Sequence, residues 1–155
     1  MKGNYWRRSW RQRRNMNSDQ PTINDRYRTM LILWLAIAMS LVLWLIFIHF
    51  ITATNPASPK LGFLLICLAL VPMSSSFLVK QVLLGRAIER QDAMLVQRAY
   101  VTAWALCEAA ALLGLLAYFL AASPKYYAGF AIGGAGILLH FPQKKDLLAA
   151  SGQEF

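Results

Sequence analysis

Few side chains in this sequence have a type and a setting suited to chemistry. Glu108 stands out as the one acid inside the long apolar stretches, within Trp104-Ala105-Leu106-Cys107-Glu108-Ala109-Ala110. An ionised side chain deep in hydrocarbon costs roughly 2.5–3.5 kcal/mol on insertion scales. Glu108 is therefore expected to be protonated, paired, or turned toward protein or water, and such a carboxyl can hold a proton or a cation. The preceding apolar stretch carries Ser74, Ser75 and Ser76, with Pro72 about one turn further along. If the two stretches are neighbouring antiparallel helices, the hydroxyls and the carboxyl share a depth of about 10 Å. One serine could then hydrogen-bond Glu108, and Pro72 could free a backbone carbonyl nearby. The competing reading is a structural carboxyl, protonated and bonded to serine or backbone.

The N-terminal segment interleaves Trp6, Arg7, Arg8, Trp10, Arg11, Arg13 and Arg14. Arginine can grip phosphate while aromatics stack on bases, which is one way to bind single-stranded nucleic acid. Apolar stretches follow so closely that contact with anionic lipid, or docking on a partner subunit, is the stronger expectation, and no nucleic acid is expected. Cys67 and Cys107 lie inside apolar runs, outside any CxxC pattern, and read as small core residues that form no disulfide with each other. There is no nucleophile with an adjacent base, no metal-ligand spacing and no phosphate loop. No enzyme activity, cofactor or metal is expected.

The elements that must carry these residues follow from composition. The chain has 155 residues, 57% of them hydrophobic and 15% charged, with a mean hydropathy of +0.41. One domain of this size could not hide so much apolar surface from water, so lipid is the better solvent. Apolar stretches cover about residues 29–53, 61–82, 101–122 and 126–141. At 1.5 Å per residue, roughly 20 residues cross the ~30 Å hydrocarbon core. The first three stretches suffice, and the fourth is marginal. Asn55-Pro56-Ala57-Ser58-Pro59 and Ser123-Pro124 break the chain between spans one and two and between three and four. Between spans two and three, the polar stretch 85–98 is expected to continue both helices out of the membrane. The expected fold is an all-α integral membrane protein of four transmembrane helices arranged as two hairpins. A basic tail (1–28) precedes the membrane domain (29–142), and a short C-terminal tail (143–155) follows it.

Fourteen of the sixteen Lys and Arg residues fall in the two tails and the central loop, leaving only Lys60 and Lys125 on the other side. The positive-inside rule then places both termini in the cytoplasm of a bacterial-type inner membrane, with the first span an uncleaved anchor. His49 and His140 fall at opposite faces of the bilayer, which excludes a shared haem and leaves two interfacial histidines. Trp34, Trp44, Trp104, Tyr118, Tyr126 and Tyr127 include interfacial belt positions. Ala103, Cys107, Ala110, Gly114, Ala117 and Ala121 form a small-residue stripe that admits a close neighbour, and Glu108 borders it. Gly129, Gly133, Gly134 and Gly136 give the last span a close-packing signal of its own, with Gly129-xxx-Gly133 a weak mark of self-association.

Spans two and three resemble the proteolipid subunit c family of rotary ATP synthases. The resemblance rests on Ala87-Ile88-Glu89-Arg90-Gln91-Asp92 in the loop, on Glu108-Ala109, and on Gly114-Leu115 at the matching distance. It implies that Glu108 binds a proton or sodium ion with the serines as helpers, and that Arg90 and Gln91 meet a stalk. The chain departs from the family in lacking repeated glycines in span two, in Asp92 where the loop has proline, and in spans one and four. About 40 residues are covered. The reading that best fits the whole sequence is a small non-catalytic membrane protein, an accessory or scaffolding subunit that associates with other membrane subunits or with itself. The alternative is a proteolipid-like proton- or cation-binding subunit.

Overall fold

The computed structural model describes residues 22–51 and 58–152. Five helices follow in order: α1 (Ile23–Phe50), α2 (Pro59–Glu89), α3 (Ala93–Ala121), α4 (Tyr126–Leu139) and α5 (Lys144–Ala150). No strand occurs among the described residues. Three helices, α1 to α3, are long and apolar enough to cross a membrane, which makes this a multi-pass membrane protein by length and composition. Helix α4 is apolar but has only 14 residues, a length of about 21 Å.

Local sequence sets the helix ends. Thr22 and Asp25 form a reciprocal capping box at the start of α1, with the Asp25 amide donating to Thr22 Oγ1 at 3.2 Å and the Thr22 amide donating to Asp25 Oδ2 at 3.2 Å. The Thr22 hydroxyl also donates to Asp25 Oδ2, at 2.6 Å. Pro59 opens α2, where its missing N–H is no loss. Helices α2 and α3 are joined by only three residues, 90–92. The Asp92 amide donates to the Ala87 carbonyl at 3.0 Å and the Gln91 amide to Ile88 at 3.2 Å, the paired bonds of a Schellman stop. Gln91 takes the left-handed position usually given to glycine, with φ 50°. Asp92 then caps α3 by accepting from the Met94 amide at 2.8 Å. The polar stretch between the second and third apolar runs is thus almost wholly helix, as expected.

Helix α3 is the hub. The whole small-residue stripe from Ala103 to Ala121 is buried, and α2 and α4 both pack closely along α3. Helix α4 runs antiparallel to α3. A Cβ on Gly129 would lie 2.5 Å from Gly114 Cα, and one on Gly133 would lie 2.6 Å from the Cys107 carbonyl oxygen. A Cβ on Gly136 would meet Cys107 Sγ at 2.5 Å. The Gly129-xxx-Gly133 pair therefore serves a contact inside the chain. Gly134 faces open space.

The expected pairing of spans one and two as a hairpin is not what forms. Helix α1 packs on α3 and α4, and makes no direct helix contact with α2 among the described residues. The reason lies in side-chain size. Helix α3 offers small residues to its neighbours, whereas α1 buries only Met30, Leu41 and Ile48. A short connection makes two helices neighbours in sequence, but it gives them no complementary surface.

Two core clusters divide the bundle. One unites Met30, Ala87, Val96, Tyr100, Trp104, Leu147 and Ala150 at the end bearing the α2–α3 turn. The other unites Leu41, Ile48, Cys107, Ala111, Phe130 and Ile137. The beginning of α1 and all of α5 thus meet at one end of the molecule. Outward faces are apolar: Ile32, Leu35, Met39, Leu43, Ile46 and Phe50 on α1 are all at least half exposed. A face of that size is far larger than the patches a soluble monomer shows to water.

Candidate functional site

Two groups of polar side chains lie within the apolar helices. The first joins α1 to α3. Ser40 Oγ lies 2.9 Å from Glu108 Oε1 and 2.8 Å from the Ile37 carbonyl oxygen. Both residues are half-buried. A serine has one proton and cannot donate to both partners. Its hydroxyl donates to the Glu108 carboxyl or to the Ile37 carbonyl, one at a time.

The three serines of α2 do not take the place expected of them beside Glu108. Ser74 is exposed and Ser75 half-buried. Ser76 is fully buried, and its hydroxyl belongs to the second group: it lies 2.8 Å from His140 Nε2 and 2.6 Å from the Met73 carbonyl oxygen. Cys107 Sγ donates to the same hydroxyl at 3.6 Å. All three contacts are satisfied when Ser76 donates to Met73 and accepts from the His140 ring and the Cys107 thiol. The equal depth of serines and carboxyl along antiparallel helices left the facing direction open, and Ser76 faces α4.

His140 faces neither lipid nor water. It is 1% exposed, its ring centroid lies 4.5 Å from that of Phe77, and its carbonyl accepts from Trp104 Nε1 at 2.9 Å. Trp34 Nε1 likewise donates to the Ile137 carbonyl at 2.9 Å. Two indoles, one from α1 and one from α3, thus cap the C-terminal end of α4, where helix carbonyls have no partners of their own. Trp104 is completely buried, which overturns its assignment to an interfacial belt. His49 stays exposed at the far end of α1, beside Phe50. The two histidines lie at opposite ends of the bundle, as expected.

The network continues into α5. Tyr100 donates to Asp146 Oδ2 at 2.6 Å and accepts from the Gln143 amide at 3.2 Å. Lys80 Nζ sits 4.1 Å from the Tyr100 ring centroid. At the opposite end of the bundle the Tyr118 hydroxyl donates to the Ile51 carbonyl, and its ring packs edge-on to Tyr126. Among the described residues no buried side-chain polar atom lacks a partner, and no cluster of metal-ligating side chains occurs.

Sequence reasoning missed Ser40, and it missed the Ser76–His140–Cys107 contact. A single serine facing the depth of Glu108 on the first span was a legible signal for the former. Arg90 and Gln91 lie in the α2–α3 turn, both exposed, with the Gln91 amide about 3.3 Å from where a Cβ on Gly152 would stand. Trp6, Arg7, Arg8, Trp10, Arg11, Arg13 and Arg14 lie outside the described residues. Chemically, Ser76 and His140 resemble a nucleophile beside its base, but both are sealed among α2, α3 and α4 with no orienting carboxylate bonded to the ring. Compared with known proteins, the chain matches no protein-family model, and searches of curated proteins and of solved structures find no match.

Proposed function

We propose that this chain is a small non-catalytic membrane protein that serves as an accessory or scaffolding subunit of a larger membrane assembly. It has four spans with both ends in the cytoplasm. The supporting observation is that its interior polar groups are committed to holding helices together. Ser76, His140, Trp34 and Trp104 lock α4, and Tyr100 with Asp146 locks α5. The outward surfaces of α1 and α2, largely apolar, are open to other membrane subunits. The fourth crossing is supported by the antiparallel course of α4 along α3 and by the meeting of Met30 with Leu147 in one cluster. A helix of 14 residues would cross where the bilayer thins around it.

A second reading, a proteolipid-like proton- or cation-binding subunit, is favoured by one observation. Glu108 meets Ser40 within the apolar part of both helices, the setting in which a carboxyl could take up a proton or a cation. Purification in mild detergent separates the two. The accessory reading expects unrelated membrane subunits to co-purify in fixed ratio. A closed ring of identical chains, with Glu108 selectively modified by a carbodiimide and protected by sodium, would overturn it in favour of the second.

A further inference from the structure

The end of the bundle that holds the α2–α3 turn carries a cleft of about 1060 Å³. Its walls come from three separate elements: the start of α1, the turn, and α5. Each supplies a cation, namely Arg26, Arg90 and Lys144. The one acid in the lining is Asp92, whose carboxylate already accepts from the Met94 amide. The lining is therefore net positive, and Arg90 and Lys144 are exposed in it.

A second, smaller groove of about 320 Å³ begins where this cleft ends. It is bounded by Met94, Gln97, Arg98, Val101 and Thr102, and Met94 belongs to both. From Met94 to Thr102 the groove follows α3 for about 12 Å, away from the turn and into the apolar part of the helix. An occupant anionic at one end and apolar at the other fits both, its chain resting on Met94 and Val101 with Gln97, Arg98 and Thr102 alongside. A soluble nucleotide or an acidic peptide would leave Met94 and Val101 without an apolar partner. The chain's own N-terminal segment, rich in arginine, has the wrong charge for the cleft.

We propose that cleft and groove together bind one anionic phospholipid of the cytoplasmic leaflet. Its phosphate sits among Arg26, Arg90 and Lys144, and an acyl chain lies along α3 past Arg98. The site rests on the reading that the turn end of the bundle lies at the cytoplasmic membrane surface. It adds a defined lipid position to the general attraction between basic tails and anionic leaflets.

The test uses the full chain purified in detergent, with lipid binding followed by native mass spectrometry. Phosphatidylglycerol and phosphatidylcholine of identical acyl chains are the probes. The expected result is retention of one phosphatidylglycerol per chain, and affinity for it lowered about tenfold or more in the double variant Arg90→Gln, Lys144→Gln. Lys60→Gln with Lys125→Gln, at the other end of the bundle, should leave affinity unchanged. Equal affinity for phosphatidylcholine, or an unchanged double variant, would overturn the site. Displacement of the lipid by millimolar inorganic phosphate would assign the cleft to a soluble anion and overturn the lipid. Binding in detergent needs neither partner subunits nor a cell membrane, so its failure leaves the accessory reading standing, and a chain without partner subunits would still be expected to bind lipid.

Discussion

At the scale of single residues, the Ser40–Glu108 contact makes the sharpest claim. An amide in place of the carboxyl can still accept from Ser40, and it carries no charge into the apolar helix. Glu108→Gln is therefore expected to shift thermal stability in detergent by less than about 0.5 kcal/mol, whereas Ser40→Ala should lower it by roughly 0.6–1.7 kcal/mol, the range of interhelical hydrogen bonds in membranes. A hydrophobic carbodiimide should modify Glu108 at neutral pH in the parent chain, with no protection by sodium. If Glu108→Gln destabilises more than Ser40→Ala and the parent resists the reagent, the carboxyl is ionised and the assignment fails. Glu108 itself was legible in the sequence because a lone acid in an apolar helix must find a partner. Its partner was not, because helix rise fixes depth but not azimuth. Ser76 and Ser40 both lie near the depth of α3's middle, and only packing decides that Ser76 turns to His140. The burial of His140 and Trp104 escaped for a related reason. Both residue types are common at membrane interfaces, and the need to cap the end of α4 becomes visible only once α4 is seen to stop inside the bundle.

At the scale of elements, glycine placement decides where helices may touch. Gly133 and Gly134 are adjacent in sequence and opposite in consequence. A methyl group on Gly133 would stand 2.6 Å from the Cys107 carbonyl oxygen and 2.9 Å from Ala111 Cβ. Backbone is at stake there, so α4 must move. Gly133→Ala is expected to lower stability by about 1–3 kcal/mol, the usual range for overpacking. Gly134→Ala meets nothing within 4 Å and should be neutral or stabilising by up to about 1 kcal/mol, since alanine is the better helix former. Unfolding monitored by circular dichroism in detergent would compare the two, and equal effects would mean that α4 does not lie on α3 as described. The close-packing stripes on α3 and α4 were readable beforehand from three- and four-residue spacing. Their mutual use was not, since spacing reveals a smooth face without naming what covers it. The same gap explains why α1 and α2, joined by few residues, fail to pair.

At the scale of the whole molecule, the arrangement makes topology a packing question as well as a charge question. Fourteen of sixteen basic residues fall in the two tails and the central loop, and Met30 of α1 shares a core cluster with Leu147 and Ala150 of α5 at the turn end. Leu147 and Ala150 are fully buried there, so α5 cannot lie on the far side of the bilayer without leaving its site. Cysteine labelling gives the test. In a background of Cys67→Ser and Cys107→Ala, single cysteines are introduced as Ser151→Cys, Arg90→Cys or Lys125→Cys. Membrane-impermeant maleimide added to intact cells should label only the Lys125→Cys variant, and the other two should react after permeabilisation. Labelling of Ser151→Cys from outside, with Arg90→Cys protected, would mean that α4 does not complete a crossing. The cluster of Met30 with Leu147 would then have to be broken in the membrane. Since that cluster also holds Trp104, the cap on the end of α4, such an outcome would undo the turn-end core together with the topology.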